Sequence, residues 1–264
     1  MSFSPLRLAM WAIALALVVA TPADADSAAD IGKATSIATA VTGTLDDQSA
    51  ILKTGDDIFA GQTVATDSTG VGQFELRDKT KLAIGPGSAV VLDNFIYNPK
   101  ASGSKVVLGL TRGSFRFITG KANHDAYEIS TPTATIGVRG TAFDVYVSDT
   151  GELAIAMING AVEVCPRGGA CRLHNIIGRF LTMSVDGIFA LHDTWDGSFL
   201  KGVTLKSALP FIDDQRLLVP ALRGSTKIVA SYVEGAATTV TRTMKSLSPP
   251  KLKLPAFKLP TLFR

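Results

Sequence analysis

Cys165 and Cys171 are the only cysteines in the chain. They flank Pro166-Arg167-Gly168-Gly169-Ala170, a turn sequence, with Val162 and Val164 before it and Leu173 after it in strand-like positions. Two thiols across such a turn, in an exported chain, read as a disulfide closing a hairpin. The alternative is a pair of free thiols or half a metal site. A metal needs two further ligands, and His124, His174 and His192 are scattered without ligand spacing. The acidic pairs Asp56-Asp57 and Asp213-Asp214 are sequence neighbours, whereas catalytic carboxylates come from separate elements that face one cleft. They read as solvated turn caps. No G-x-S-x-G, P-loop, H-E-x-x-H or paired C-x-x-C motif occurs. The expectation is a non-catalytic protein without cofactor or metal.

The chain ends also carry chemistry. Arg7 precedes an uncharged apolar run, Leu8 to Ala20, and Ala23-Asp24-Ala25 has the small-x-small pattern of a cleavage site. Residues 1–25 therefore read as a secretory signal peptide cut before Asp26, too short in its apolar part to span a bilayer, and the expected location is periplasmic or secreted. At the other end, Arg242, Lys245, Lys251, Lys253, Lys258 and Arg264 stand in a stretch with no acidic residue. Since the whole chain is only +3, the body is slightly acidic. So small a net charge excludes nucleic acid as the expected partner. The basic tail 242–264 could instead contact a partner or an anionic membrane surface, its alternative being a solubilising extension.

The elements between are short. From about Thr35 to Leu191, runs of Val, Ile, Leu, Phe and Thr are broken every several residues by Gly, Asp or Asn. Strands are expected at Ser36–Val41, Gln62–Thr66, Gly72–Leu76, Lys81–Ile84, Ala89–Leu92, Lys105–Leu110, Ser114–Ile118, Ala126–Ile129, Ala142–Val147, Leu153–Met157 and Ala161–Val164. Asn159-Gly160 reads as a hairpin turn. Phe74 and Leu76 alternate with Gln73 and Glu75, and Phe115 and Phe117 with Arg116, so one face of each strand is expected buried and the other wet. Arg116 is accordingly expected in solvent. The fold class is all-β, a twisted solenoid-like or sandwich-like module of many short strands. A short helix is expected from Trp195 to Leu209 with its stop at Pro210, and a second over Ser225–Met244. The Lys-Leu-Pro repeats of 247–264 favour an extended tail.

Two stretches carry a wider pattern. The first is Gly55-Asp56-Asp57-Ile58, then Thr66, Gly72, Phe74, Leu76, Asp78, Leu82, Gly85-Pro86, Ser88 and Leu92-Asp93. The second is Gly113-Ser114-Phe115-Arg116-Phe117 with Thr119-Gly120, then Ile129 to Thr141 and Phe143. The specific part is Thr131-Pro132-Thr133-Ala134-Thr135-Ile136-Gly137-Val138-Arg139-Gly140-Thr141. Together they resemble the FecR domain, the extracytoplasmic module of bacterial iron-responsive regulators, over about residues 35–190. The resemblance implies a twisted, solenoid-like β module that binds or senses an envelope partner. In FecR itself a cytoplasmic N-terminal segment passes the signal to a sigma factor. Here only six residues precede Arg7, so the sensing module alone is expected to carry over.

The residues themselves allow a structural reading of the same block. Pro132 marks a strand edge or corner, and Gly137 and Gly140 permit close approach or positive φ. Arg139 could lie over backbone carbonyls or pair with Asp144 or Asp78. Thr131–Thr141 is then either a corner joining adjacent coils or a ligand-contacting surface. The expected organisation is a signal peptide over 1–25, a β module over 35–190, a partly helical extension over 191–246 and a basic Pro-rich tail over 247–264. The expected partner is an envelope protein or surface polymer, in signalling or scaffolding. A cell-surface structural or adhesive role and an envelope polymer-acting enzyme are the alternatives.

Overall fold

Strict two-residue alternation of apolar and polar side chains lets a strand bury one face, and glycines or Asx turns between such runs reverse or bend the chain. The structure, a computed structural model, describes residues 28–97 and 104–224. The leader, the helix expected over Ser225–Met244 and the tail 247–264 lie outside the described residues. The strands are β1 (Asp30–Ala38), β2 (Val41–Leu45), β3 (Gln48–Ile51), β4 (Asp57–Phe59), β5 (Thr63–Thr66), β6 (Val71–Leu76), β7 (Lys81–Ile84) and β8 (Ala89–Ile96). They continue with β9 (Lys105–Ile118), β10 (Tyr127–Ser130), β11 (Ala134–Val147), β12 (Leu153–Pro166), β13 (Arg172–His174), β14 (Phe180–Met183) and β15 (Phe189–His192). The all-β expectation holds.

All fifteen strands belong to one hydrogen-bonded sheet that folds over on itself. One layer runs β4-β1-β6-β7-β9-β11-β12-β14-β15 and the other β3-β2-β5-β8-β9-β10-β11-β12-β13. Three strands appear in both layers. The sequence pattern predicts two short strands where β9 is one of 14 residues, and likewise for β12. These strands bend rather than end. Gly113 (φ +99°), Gly140 (φ +58°) and Gly160 (φ +80°) sit at their bends. The fold-over brings the loop after β11 against the turn before it, where Thr133 Oγ1 donates to the Gly151 carbonyl at 2.5 Å.

Asn159-Gly160 is thus not a hairpin turn. It lies inside β12, opposite a register irregularity in β11. Positive φ serves a bend within a paired strand as well as a reversal, and sequence alone does not distinguish them. The inner faces of both layers form one core. Phe74, Leu82, Phe117, Phe143 and Met157 from the first layer meet Val41, Val64, Val90, Ile136 and Val164 from the second.

The first layer is buried on its outer face too. Cross-strand register lines up Gln73, Ala83, Arg116, Asp144, Ala156 and Phe180 in a row over six strands. The C-terminal segment lies across this row. Its helices are α1 (Leu205–Ala208), closed by a reciprocal Thr204–Ser207 capping box, and α2 (Pro210–Asp213). Two 3-10 turns follow at Gln215–Leu217 and Pro220–Leu222. Leu209 and Ile212 pack on Ala156 and Phe180, while Phe211, Leu218 and Leu222 pack on Val71 and Ala83. Helix therefore begins later than expected, at Leu205. Gly197 and Gly202, both at positive φ, interrupt 195–204. Pro210 opens α2 instead of ending a helix, because an N-terminal proline loses no helical hydrogen bond.

The bends set the layer geometry. A Cβ added at Gly160 would stand 2.5 Å from the Gly140 carbonyl oxygen and 2.8 Å from Thr141 Cβ. Gly160→Ala is expected to cost about 2–4 kcal/mol, combining left-handed strain with overpacking. Gly55→Ala, at φ +98° but in open space, is expected to cost about 1–2 kcal/mol from backbone strain alone. Equilibrium urea unfolding of the two variants checks this ranking; equal losses would mean that the bend is not tightly packed.

Candidate functional site

Each residue of the motif stretches can be placed by what its side chain touches. Gly55 and Asp56 form the turn entering β4: Gly55 N–H donates to Ala34 O, and the Asp56 carboxylate accepts from Lys53 N–H at 2.8 Å. Ser88 Oγ accepts from Ser114 N–H at 2.9 Å, and a Cβ on Gly113 would stand 2.5 Å from Ser88 Cα. Thr66 Oγ1 donates to Gly85 O at 2.6 Å and accepts from Ser88 N–H at 2.8 Å. Thr131 Oγ1 accepts from Ala134 N–H at 3.0 Å, closing the turn that contains exposed Pro132. Thr141 N–H donates to Thr119 Oγ1, and Thr141 Oγ1 donates to the Asn159 carbonyl. These side chains satisfy backbone groups at bends and turns, as buried polar groups must.

Arg116 is the largest departure from expectation. It is 1% exposed, not in solvent. Its Nε and Nη2 donate to Asp144 Oδ1 and Oδ2 at 2.5 and 2.7 Å, a bidentate pair between directly opposed residues of β9 and β11. Nη2 also donates to Phe211 O at 3.0 Å, and Nη1 to Leu222 O at 3.1 Å and Gln215 Oε1 at 3.3 Å. The guanidinium lies 5.9 Å from the Phe211 ring centroid. Burial pushes the Asp144 carboxyl above the usual carboxylate range, against the opposing pull of Arg116. Gln73, expected wet, is 3% exposed and holds the same segment by donating to Leu217 O and accepting from Val219 N–H, each at 3.0 Å.

A second buried polar cluster sits at the Asp78-Lys79-Thr80 turn. The Asp78 carboxylate accepts from Thr80 N–H, Thr80 Oγ1 and the Tyr127 hydroxyl at 2.7–2.9 Å. Burial pushes the Tyr127 phenol up to about 12. Cys165 and Cys171 are joined in a disulfide, and the hairpin of β12 and β13 forms across them with Val164 opposite Arg172. His174 faces inward at 2% exposure. Its Nε2 has no hydrogen-bond partner among the described residues, and burial lowers its pKa to about 4. Asp214 caps the 3-10 turn that follows it and pairs with Arg216, which lowers its pKa to about 2.

The outward face of the Thr131–Thr141 block is different. Ala134, Ile136 and Val138 point into the core, so Thr135, Gly137 and Arg139 point away from it. Glu128 on β10 and Glu163 on β12 flank Gly137 in register. Arg139 pairs with Glu163 at 3.3 Å, not with Asp144 or Asp78. Asp125, Tyr127 and Cys165 complete a cleft of about 260 Å³. Gly137 is its floor. Unlike Gly140, Gly137 does not have positive φ. A Cβ there would meet only Glu163 O at 3.8 Å, an ordinary contact. Glycine within a strand costs about 0.5–1 kcal/mol relative to a residue with a side chain. At Gly137 neither packing nor backbone conformation requires that cost. What the glycine provides is open space in a cleft lined by three acidic residues, Asp125, Glu128 and Glu163, together with Thr135 and Arg139. That arrangement suits hydrogen bonding to a polar or cationic group laid on the sheet face.

Sequence reasoning picks out Gly137 and Arg139, names Asp144 only as a partner of Arg139 rather than of Arg116, and misses Glu128, Glu163 and Gln215. Arg116 and Asp144 left no signal of burial: Phe115-Arg116-Phe117 and Phe143-Asp144-Val145 alternate as half-exposed strands do. Among the described residues, no group of three or more His, Cys, Asp or Glu side chains could hold a metal ion. No helix among them is long and apolar enough to cross a membrane.

Residues 62–163 match the family model described as FecR protein. No curated protein matches the chain. Two solved structures of a candidate anti-sigma factor from Parabacteroides distasonis ATCC 8503 align at 15% identity, with TM-scores of 0.40 and 0.39. Each alignment covers 49% of this chain and 58% of the other. A solved structure described as a cell surface anchoring domain aligns at 34% identity, over 28% of this chain and 99% of its own, with a TM-score of 0.25. The chain thus spans little more than half of the first two structures.

Removing one partner of a buried ion pair leaves an uncompensated charge. Asp144→Ala is expected to destabilise by about 3–5 kcal/mol, and Arg116→Met/Asp144→Leu to recover most of that loss. Chemical unfolding of both variants checks it, and equal destabilisation would show that the charges themselves are needed. His174 gives a pH dependence. Its folded pKa of about 4 lies below its ordinary 6.5, so the unfolded chain binds the proton more tightly. The stability tied to neutral His174 is fully present above about pH 6.5 and declines as pH falls toward 4. His174→Leu should flatten that decline by about one proton in unfolding titrations; an unchanged slope would place the acid sensitivity elsewhere.

Proposed function

We propose that this chain, which carries a FecR domain over residues 62–163, is an exported, non-catalytic binding module of the bacterial envelope that engages a partner through the cleft floored by Gly137. Signalling is the role favoured by the family match, and the periplasmic or secreted location rests on the leader sequence of residues 1–25. The observation that carries the reading is the glycine itself. It occupies a strand position that would accept a side chain, within the most specific part of the motif. The residues that hold the bends, such as Ser88, Gly113, Thr141 and Gly160, are accounted for by hydrogen bonding and close approach. Gly137 is not, and a free surface at a fixed place is what a binding module supplies. Glu128 and Glu163 favour a partner that presents cationic or hydrogen-bond-donating groups, such as basic side chains of an envelope protein or an amino-bearing surface polymer.

The experiment is site-specific photo-crosslinking in the native host, with the photoreactive residue at Thr135 and a control at Ile51 on the far edge strand. The expected result is one defined crosslinked product from position 135, absent from position 51. Gly137→Val fills the floor at little cost, since strand propensity and space both accept valine. It should abolish the crosslink with stability unchanged or raised by up to about 1 kcal/mol. A crosslink indifferent to Gly137→Val, or no product together with an unchanged transcript profile on deletion, would overturn the proposal.

A further inference from the structure

Exposed aliphatic side chains are not spread evenly over this protein. Among the described residues, the large hydrophobics left exposed are Ile51, Ile96, Leu173, Ile176, Ile177, Val185, Ile188 and Leu217. Five of these eight fall between Leu173 and Ile188, in β13, the link to β14 and the β14–β15 turn. These segments share one edge of the folded sheet. β13 ends one layer and β15 the other. Ile177 bridges to Met157 beside the bend of β12. At the opposite end of the edge, the β14–β15 turn rests on the end of β12, where a Cβ on Gly187 would stand 2.9 Å from Pro166 Cβ. Arg172 spans the layers, its guanidinium 5.9 Å from the Phe189 ring.

The charge of this edge is opposite to that of the body. Arg167, Arg172 and Arg179 stand in it against two carboxylates, Asp186 and Asp193, while the chain outside the basic tail is slightly acidic. Arg179 pairs with Asp193. Arg167 and Arg172 have no carboxylate partner among the described residues; Arg167 donates to the Thr131 carbonyl at 3.3 Å. The exposed apolar residues are isoleucine, valine and leucine. Protein-binding hot spots are built instead on Trp, Tyr and Arg, with Leu and Val under-represented. Branched aliphatics flanked by arginines match another surface, hydrocarbon beneath anionic headgroups, into which the apolar side chains dip while the guanidinium groups stay at phosphate level. The Cys165–Cys171 disulfide holds the hairpin that presents Arg167 and Arg172, which lowers the ordering cost of such a contact.

We infer that this edge, centred on Leu173, Ile176, Ile177 and Ile188, is a docking surface for an anionic phospholipid membrane. It adjoins the Gly137 cleft, since Leu173 stands opposite Glu163 across β12 and β13, but it does not depend on a partner there. Flotation of the full exported chain tests it, with vesicles of phosphatidylglycerol and phosphatidylethanolamine compared with vesicles of phosphatidylcholine. The expected result is flotation with the anionic vesicles only. It should fall at least about tenfold in the Ile176→Ser/Ile177→Ser double variant, since two partly buried aliphatic side chains supply more than the free energy of a tenfold change. Ile51→Ser on the far edge should float like the parent, and all variants should unfold at the same urea concentration. Flotation of the parent with neither vesicle, or flotation with anionic vesicles that ignores the Ile176/Ile177 substitutions, would overturn the inference. So would a parent dimer that the same substitutions render monomeric, because the edge would then be covered by a second copy.

Discussion

The bidentate pair between Arg116 and Asp144 sets the terms for the rest of the structure. A guanidinium and a carboxylate opposed on adjacent central strands satisfy each other along one direction, but Arg116 retains donors that neither strand can meet. Exposed to solvent, the pair would contribute little; buried without further acceptors, it would be a liability. The C-terminal segment resolves this by placing the Phe211 and Leu222 carbonyls and the Gln215 side chain on the remaining N–H groups. Those carbonyls are free because short helices and 3-10 turns leave C-terminal carbonyls unpaired within the element. The shortness of α2 and of the last 3-10 turn is thus part of how the charge is accommodated.

That arrangement explains why the sheet has three kinds of surface. The inner faces make the common core. The outer face of the first layer, centred on the ion pair, is closed by the segment from Leu205 to Leu222. The outer face of the second layer has no such cover among the described residues, and it is there that the Thr131–Thr141 block turns Thr135, Gly137 and Arg139 outward. One strand, β11, serves both purposes. Its Asp144 half anchors the covered layer and its Gly137 half forms the open one, with the bend at Gly140 between them.

Strand content was legible in the sequence because alternation is a local property, and β7 has the limits that alternation predicts, Lys81–Ile84. Continuity through the bends was not. A glycine at positive φ looks the same in a hairpin and in a folded-over strand, so β9 and β12 each read as two elements. The disulfide was legible from two cysteines across a turn. The burial of Arg116 and Gln73 was not, because a polar residue opposite an apolar face signals solvent unless another segment covers it, and that cover comes about 95 residues later in sequence from Arg116. In the candidate site, the motif residues were legible but their partners Glu128 and Glu163 were not, since register across three strands is a product of the fold.

The glycines then separate two kinds of constraint within one motif. Gly113, Gly140 and Gly160 are held by conformation, Gly113 and Gly160 also by close neighbours, so their identity speaks only of the fold. Gly137 has ordinary strand geometry and room above it, yet accepts the entropic cost of a missing side chain. A position that is neither strained nor crowded gains nothing for folding from being glycine. On the function proposed above, the advantage lies in the surface it leaves, a polar floor between Glu128 and Glu163 with Ile136 and Val138 in the core beneath. The rigidity needed to hold that floor comes from the folded-over strands, whose other halves are packed beneath the C-terminal segment.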